Sequence, residues 1–228
     1  MKKWKIYQII PFTILCVALN IGGKMLAKWL QWPMWLDSLG TVLCAYIGGP
    51  VCGALVGVTG NLAYGLENHL SVAYALTSMV LGVIVGIGAR RKQFDSLYGT
   101  MLVATGATAV ALAVSLVLNV ALADGYTGNK WGDALIDYLL GKGWPGIICD
   151  FFGQLAIEFV DKSLTMMFPY LMIRLIRWRA ERRGSGTDRS RQVLPVVLAA
   201  CLTVCAVGEA RAQETEKGTQ QQIGRAHV

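Results

Sequence analysis

Trp32-Pro33-Met34-Trp35-Leu36-Asp37-Ser38-Leu39-Gly40-Thr41 and, one apolar run later, Tyr46-Ile47-Gly48-Gly49-Pro50-Val51-Cys52-Gly53 form the stretch on which the fold turns. Pro33 between two tryptophans marks a membrane interface, where amphipathic rings gather. Asp37 opens an apolar helix, either as its cap or as a group facing a ligand, because an unpaired acid at the start of a membrane helix is costly. Gly48-Gly49-Pro50 then reverses the chain, and Gly53, Gly57 and Gly60 permit close backbone contact in the helix that follows. The reading is a buried helical hairpin, with helix two over residues 36–48 and helix three over 51–66.

Composition sets the environment of that hairpin. The chain has 228 residues, of which 54% are hydrophobic and 15% charged, and its mean hydropathy is +0.49. Those values exclude an ordinary soluble domain and point to a polytopic membrane protein. A net charge of +7 could serve nucleic acid, but the basic residues sit at the ends of apolar segments, where they set orientation; no nucleic-acid partner is expected. Cys16, Cys44, Cys52, Cys149, Cys201 and Cys205 lie inside apolar runs without metal-ligand spacing and read as small packing residues.

Outward from the hairpin, an apolar helix over residues 6–30 follows Lys2, Lys3 and Lys5 and is long enough to cross a hydrocarbon core of about 30 Å. Its Ala18, Gly22, Gly23 and Ala27 form overlapping small-residue pairs, a face for internal packing or for docking a partner membrane protein. Helix four is expected over 71–89, ending at Arg90-Arg91-Lys92; helix five over 97–123; helix six over 145–176, ending among arginines. Three basic clusters are mutually consistent only if the amino terminus, the turn at 90–92 and the stretch at 174–191 are all cytoplasmic, with six spans between the ends. The long outer loop at 124–144, with a short helix near 131–140, is either a cover over a site or a solvated connection.

Residues 1–183 therefore read as an all-α, six-transmembrane-helix bundle in a bacterial inner membrane. Residues 184–192 form a cytoplasmic linker and 193–210 a seventh apolar or signal-like segment. The polar tail at 211–228 ends in Ile-Gly-Arg-Ala-His-Val, which a widely used sequencing adapter encodes in one frame, so the natural chain is expected to continue past an artefactual end.

Polar residues inside apolar helices are where chemistry would reside. In helix six Asp150, Gln154, Glu158 and Asp161 fall within an arc of roughly 80° at about 100° per residue. Asp150 and Gln154 lie toward the outer end, where a solute would arrive, and Glu158, Asp161, Lys162 and Lys24 could neutralise one another deeper down. Asn61 and Tyr64 near the outer end of helix three, Trp131 in the long loop and Asp37 can reach the same space. The candidate solute-binding residues are thus Asp37, Asn61, Tyr64, Trp131, Asp150, Gln154 and Glu158. His69 reads as a loop residue rather than a metal ligand, and no metal or cofactor is expected. Hydrolase, zinc-protease, phosphate-loop and dithiol patterns are all missing, so the chain does not read as an enzyme.

The Asp37-Ser38-Leu39-Gly40-Thr41 entry, the Gly48-to-Gly57 turn, the small-residue first helix and the six-helix count together resemble the substrate-binding S components of energy-coupling factor (ECF) transporters, over residues 6–183. The resemblance implies a vitamin or other micronutrient captured in the outward half of the bundle. It also implies a coupling membrane protein and two ATPase subunits as partners, with the first helix contacting the coupling protein. That contact is an alanine pair in the family; here Ala18 with Gly22 and Gly23 with Ala27 match it only as small residues. The apolar segment beyond 193 departs from the family and keeps an alternative open, a ligand-sensing receptor module of a larger signalling protein.

Overall fold

A left-handed residue divides the expected hairpin from its entry. Leu36 has φ +52°, so helix two starts at Leu39 behind Ser38 rather than at residue 36. The computed structural model describes residues 6–183 of the chain; the linker, the seventh segment and the tail lie outside the described residues.

All regular structure among the described residues is helical. The order is α1 (Ile6–Leu30), α2 (Leu39–Gly48), α3 (Pro50–Tyr64), the single turn α4 (Leu70–Ala73), α5 (Ala75–Arg90), α6 (Leu97–Leu122), α7 (Lys130–Gly141) and α8 (Gly146–Arg183), with a 3-10 turn at Gln93–Asp95 before α6. Helix starts follow local chemistry. Ser96 Oγ accepts the Gly99 amide at 3.0 Å at the head of α6, and Asn129 Oδ1 accepts the Trp131 amide at 3.1 Å at the head of α7. Gly49, at φ +88°, lets α2 turn directly into α3, whose first residue is Pro50. The expected fourth helix is interrupted at Tyr74, between α4 and α5.

Among the described residues, three stretches are long and apolar enough to cross a membrane: Ile9–Leu30, Leu70–Arg90 and Leu97–Leu122. With the composition they mark the chain as a membrane protein. The helices α2 and α3 have 10 and 15 residues, about 15 Å and 22 Å at 1.5 Å per residue, so neither alone matches the hydrocarbon core. The longest helix, α8, carries Asp150, Glu158, Asp161 and Lys162 along its first half.

Packing divides the bundle into two regions. Toward the Arg90 end, Val42, Leu81, Val85, Phe94, Val103, Met166 and Ile173 make a continuous apolar core. Tyr46 packs edge-on against Phe94 with ring centroids 5.7 Å apart. The hairpin reaches this core through α5: a Cβ at Gly82 would fall 2.4 Å from the Gly53 carbonyl carbon, so glycine is required where these two helices cross. Toward the other end the interior turns polar, with Asn20, Asn61, Asn119, Gln154, Glu158, Asp161 and Lys162 all buried. Large apolar side chains such as Ile14, Leu55, Leu102 and Val117 stay exposed on the outside, where lipid would meet them.

A polar cavity as the candidate functional site

Asn20 shows how the sequence builds the polar end. Its Oδ1 accepts the Gly40 amide at 2.7 Å and its Nδ2 donates to Thr41 Oγ1 at 2.8 Å, fastening α1 to α2. One turn later the same helix directs Lys24 into a cavity of about 470 Å³. Lys24, Trp35, Asp37, Tyr64, Tyr74 and Lys162 line it, together with Ser71, Thr77 and Ser78 from α4 and α5, Asn129 from the α6–α7 connection and Asp133 from the first turn of α7. That volume suits a small organic solute.

Around the cavity runs a chain of polar contacts that touches α1, α3, α4, α6 and α8 and the connections leading into α2 and α5. Lys24 Nζ donates to Ser71 Oγ at 2.8 Å, lies 4.6 Å from the Tyr64 ring centre and 3.7 Å from Asp37 Oδ2. Ser38 Oγ donates to Asp37 Oδ1 at 2.9 Å, and Lys162 Nζ reaches Ser38 Oγ at 3.3 Å. Lys162 is held by Asp161 at 2.6 Å and Glu158 at 3.2 Å. From Glu158 the chain continues through Gln154 Nε2 at 2.9 Å, then Asn119 Nδ2 to Gln154 Oε1 at 2.8 Å, and ends where the Tyr74 hydroxyl donates to Asn119 Oδ1. Both ends of the chain, Ser71 and Tyr74, return to the cavity wall.

Asp161 has a second task. Its Oδ1 accepts the backbone amides of Trp35 at 3.1 Å and Leu36 at 2.8 Å, fixing the left-handed turn that leads into α2. A carboxylate taking two amides and an ammonium has three of its about four acceptor sites occupied.

The seven candidate residues separate accordingly. Asp37 and Tyr64 line the cavity. Asp37 does not cap α2, since Ser38 occupies that position and makes no side-chain cap bond; Asp37 faces the cavity instead. Asn61 stands one layer behind, donating to Ser78 Oγ at 2.7 Å and Gly57 O at 3.2 Å. Gln154 and Glu158 are buried in the chain of contacts behind the wall. Asp150 is packed against the backbone of Gly125 at the end of α6, where a Cβ would fall 2.5 Å from its Oδ2. Trp131 is 59% exposed and ties α7 to the end of α1, its Nε1 donating to Gln31 O at 2.7 Å.

The long connection is braced rather than loose. Asp133 Oδ1 accepts from Thr127 N at 2.8 Å, Thr127 Oγ1 at 2.7 Å and Gly128 N at 3.2 Å, while Asn129 Nδ2 donates to Trp32 O at 3.0 Å. The Tyr126 phenol donates to Asp137 at 2.9 Å, and that carboxylate raises its pKa.

The small residues of α1 fall on two faces. Gly23 and Ala27 are buried; a Cβ at Gly23 would lie 2.3 Å from Leu36 O, and Ala27 lines the cavity. Ala18 is exposed and Gly22 half-buried. The residues that sequence reasoning left out of the site are Lys24 and Lys162, read there as structural charges, and Ser71, Tyr74, Thr77 and Ser78. A tyrosine at position 74 and an asparagine at 119, each inside an apolar run, were the available signal for the pair that closes the chain of contacts.

Among the described residues no group of three His, Cys, Asp or Glu side chains is placed to hold a metal ion. No family model, curated protein or solved structure matches this chain.

Proposed function

We propose that the chain is the membrane-embedded solute-binding component of an ECF-type importer, capturing a vitamin or similar micronutrient from outside the cell. One observation carries the reading: a cavity of about 470 Å³, lined by four lysines, two aspartates and several aromatic rings, lies inside a bundle whose outside is apolar. Intramembrane charges that surround a space rather than fill it mark a solute path.

In this reading α1, α2, α3, the α4–α5 pair, α6 and α8 are six spans. The basic clusters at Lys2–Lys5, Arg90–Lys92 and Arg174–Arg177 put that end of the bundle and the amino terminus in the cytoplasm. The cavity lies toward the other end of α5, which this reading assigns to the outside. The chain contains no nucleotide-binding motif, so energy would come from two ATPase partners through a coupling membrane protein. The outward row of Ile10, Ile14, Ala18 and Gly22 on α1 is the docking face available to it.

The decisive experiment is mass spectrometry of small molecules released on denaturing the detergent-purified protein, beside the Tyr74→Ala variant, which opens the cavity wall. A stoichiometric solute in the wild type that is lost in the variant supports the reading. Equal recovery from both, or none from either, defeats it.

A further inference from the structure

The charges around the cavity do not sum to zero. The chain of contacts contains three carboxylates, Asp37, Glu158 and Asp161, and two ammonium groups, Lys24 and Lys162. At the rim Lys28 faces Glu67 at 3.7 Å, and Lys130 and Asp133 contribute one charge of each sign. One negative charge is left over in the interior, where an uncompensated ion is costly.

Nor does the hydrogen bonding favour a proton in compensation. Glu158 Oε1 receives Ser115 Oγ at 3.3 Å and Gln154 Nε2 at 2.9 Å, and Oε2, without a hydrogen-bond partner among the described residues, lies 3.2 Å from the Lys162 ammonium. An ammonium is a donor only, so this pocket is shaped for a carboxylate. Asp161 is taken by two amides and Lys162. The carboxylate left for an incoming charge is Asp37, which lines the cavity and whose Oδ2 lies 3.7 Å from Lys24, beyond hydrogen-bond length.

We propose that the solute is an organic cation carrying a single positive charge, an ammonium or a cationic heteroaromatic ring, with Asp37 as its counter-ion. The inference rests on the solute-binding reading above and narrows it. Tyr64, Tyr74 and Trp35 give the cavity aromatic walls, which attract cations across their faces. Thr77, more than nine-tenths buried and lining the cavity, has a hydroxyl without a hydrogen-bond partner among the described residues. The approach has the same sign. Lys28 with residues 67–70 and 124–144, at the cavity end, gives four acids against three lysines, a field that favours cations at the mouth. A bare metal ion would leave a cavity of this size mostly empty.

The test uses the full chain in detergent and three probes of nearly equal shape: benzylammonium, benzyl alcohol and benzoate. Binding is read as a shift of the thermal midpoint and by calorimetry. Benzylammonium should bind at least tenfold more tightly than either of the others. Asp37→Asn should weaken it at least tenfold, and Lys24→Gln, which removes the resident cation beside Asp37, should tighten it. The opposite signs keep the result readable if one variant folds poorly. Preferred binding of benzoate or benzyl alcohol, or weaker benzylammonium binding in Lys24→Gln, overturns the proposal. If none of the three probes binds, the solute released from the purified protein decides: a cation upholds the inference. A neutral or anionic solute overturns it while leaving the solute-binding reading intact, and absence of any solute removes both.

Discussion

The two halves of α8 pose opposite packing problems within one helix. From Cys149 to Lys162 its buried side includes Gln154, Glu158, Asp161 and Lys162, each committed to a partner on another element or a neighbouring turn. From Met166 onward its buried side is Met166, Pro169, Met172 and Ile173, packed for shape alone. The apolar half could tolerate repacking, because dispersion is non-directional and volume can be redistributed. The polar half cannot, because each bond there has a direction and Glu158 and Asp161 share the single ammonium of Lys162. A helix meant only to span would have no reason to pay for the polar half, and the polar cavity meets α8 in that half, at Lys162.

Substitutions in the two halves should separate these regimes. The largest effect is expected for Lys162→Met, which leaves Glu158 and Asp161 facing each other without their ammonium, at a cost on the order of 3 to 5 kcal/mol. Its thermal midpoint in detergent should fall well below that of Met166→Leu, a volume-conserving change in the apolar half that should cost less than about 1.5 kcal/mol. Similar midpoints for the two would erase the contrast. Next is Asp161→Asn: it keeps the volume but weakens the charge-assisted bonds to Trp35 and Leu36, a loss of about 1.5 to 3 kcal/mol. Faster cysteine labelling at an introduced Pro33→Cys would locate that loss at the turn, and unchanged labelling would place it elsewhere.

A smaller effect is expected from Trp131→Phe. It removes one bond to the Gln31 carbonyl at an exposed site and should cost on the order of 1 kcal/mol or less. If solute binding nevertheless falls tenfold, this indole acts on the cavity and not merely on the loop. The smallest change in stability belongs to Ala18→Leu, on the exposed face of α1. It should leave the midpoint within about 0.5 kcal/mol of wild type while reducing co-purification with a coupling protein. Gly23→Leu cannot serve that purpose, since it would collide with the Leu36 carbonyl and disturb the fold itself.

Much of the helix layout was legible because apolar length, flanking charge and the Gly48-Gly49-Pro50 reversal are local signals. Even the short helix in the long loop was readable from its composition, and Asn129 and Gly141 bound it within a residue or two. The site was less legible because its geometry depends on rotation about helix axes. Gly22 and Gly23 are neighbours in sequence, yet only Gly23 is buried, against a backbone carbonyl. Asp150 and Gln154 are one turn apart, yet one packs on a loop glycine and the other joins the buried chain. The break at Tyr74 carries no proline or glycine to announce it; its hydroxyl is drawn to Asn119, 45 positions later, and that contact is invisible to any local pattern.

The bond from Asp161 to the turn at Leu36 also fixes an order of events during synthesis. Its partners are 125 positions apart, so at about 5 to 20 residues per second the ribosome needs roughly 6 to 25 seconds to make the second after the first. For that interval the left-handed turn has no carboxylate to hold its amides, and α2 enters the bilayer on an unfastened tether. The hairpin that begins the bundle is therefore finished last, by the helix that ends it, and a ribosome stalled before residue 161 would leave its nascent chain unlocked at position 36.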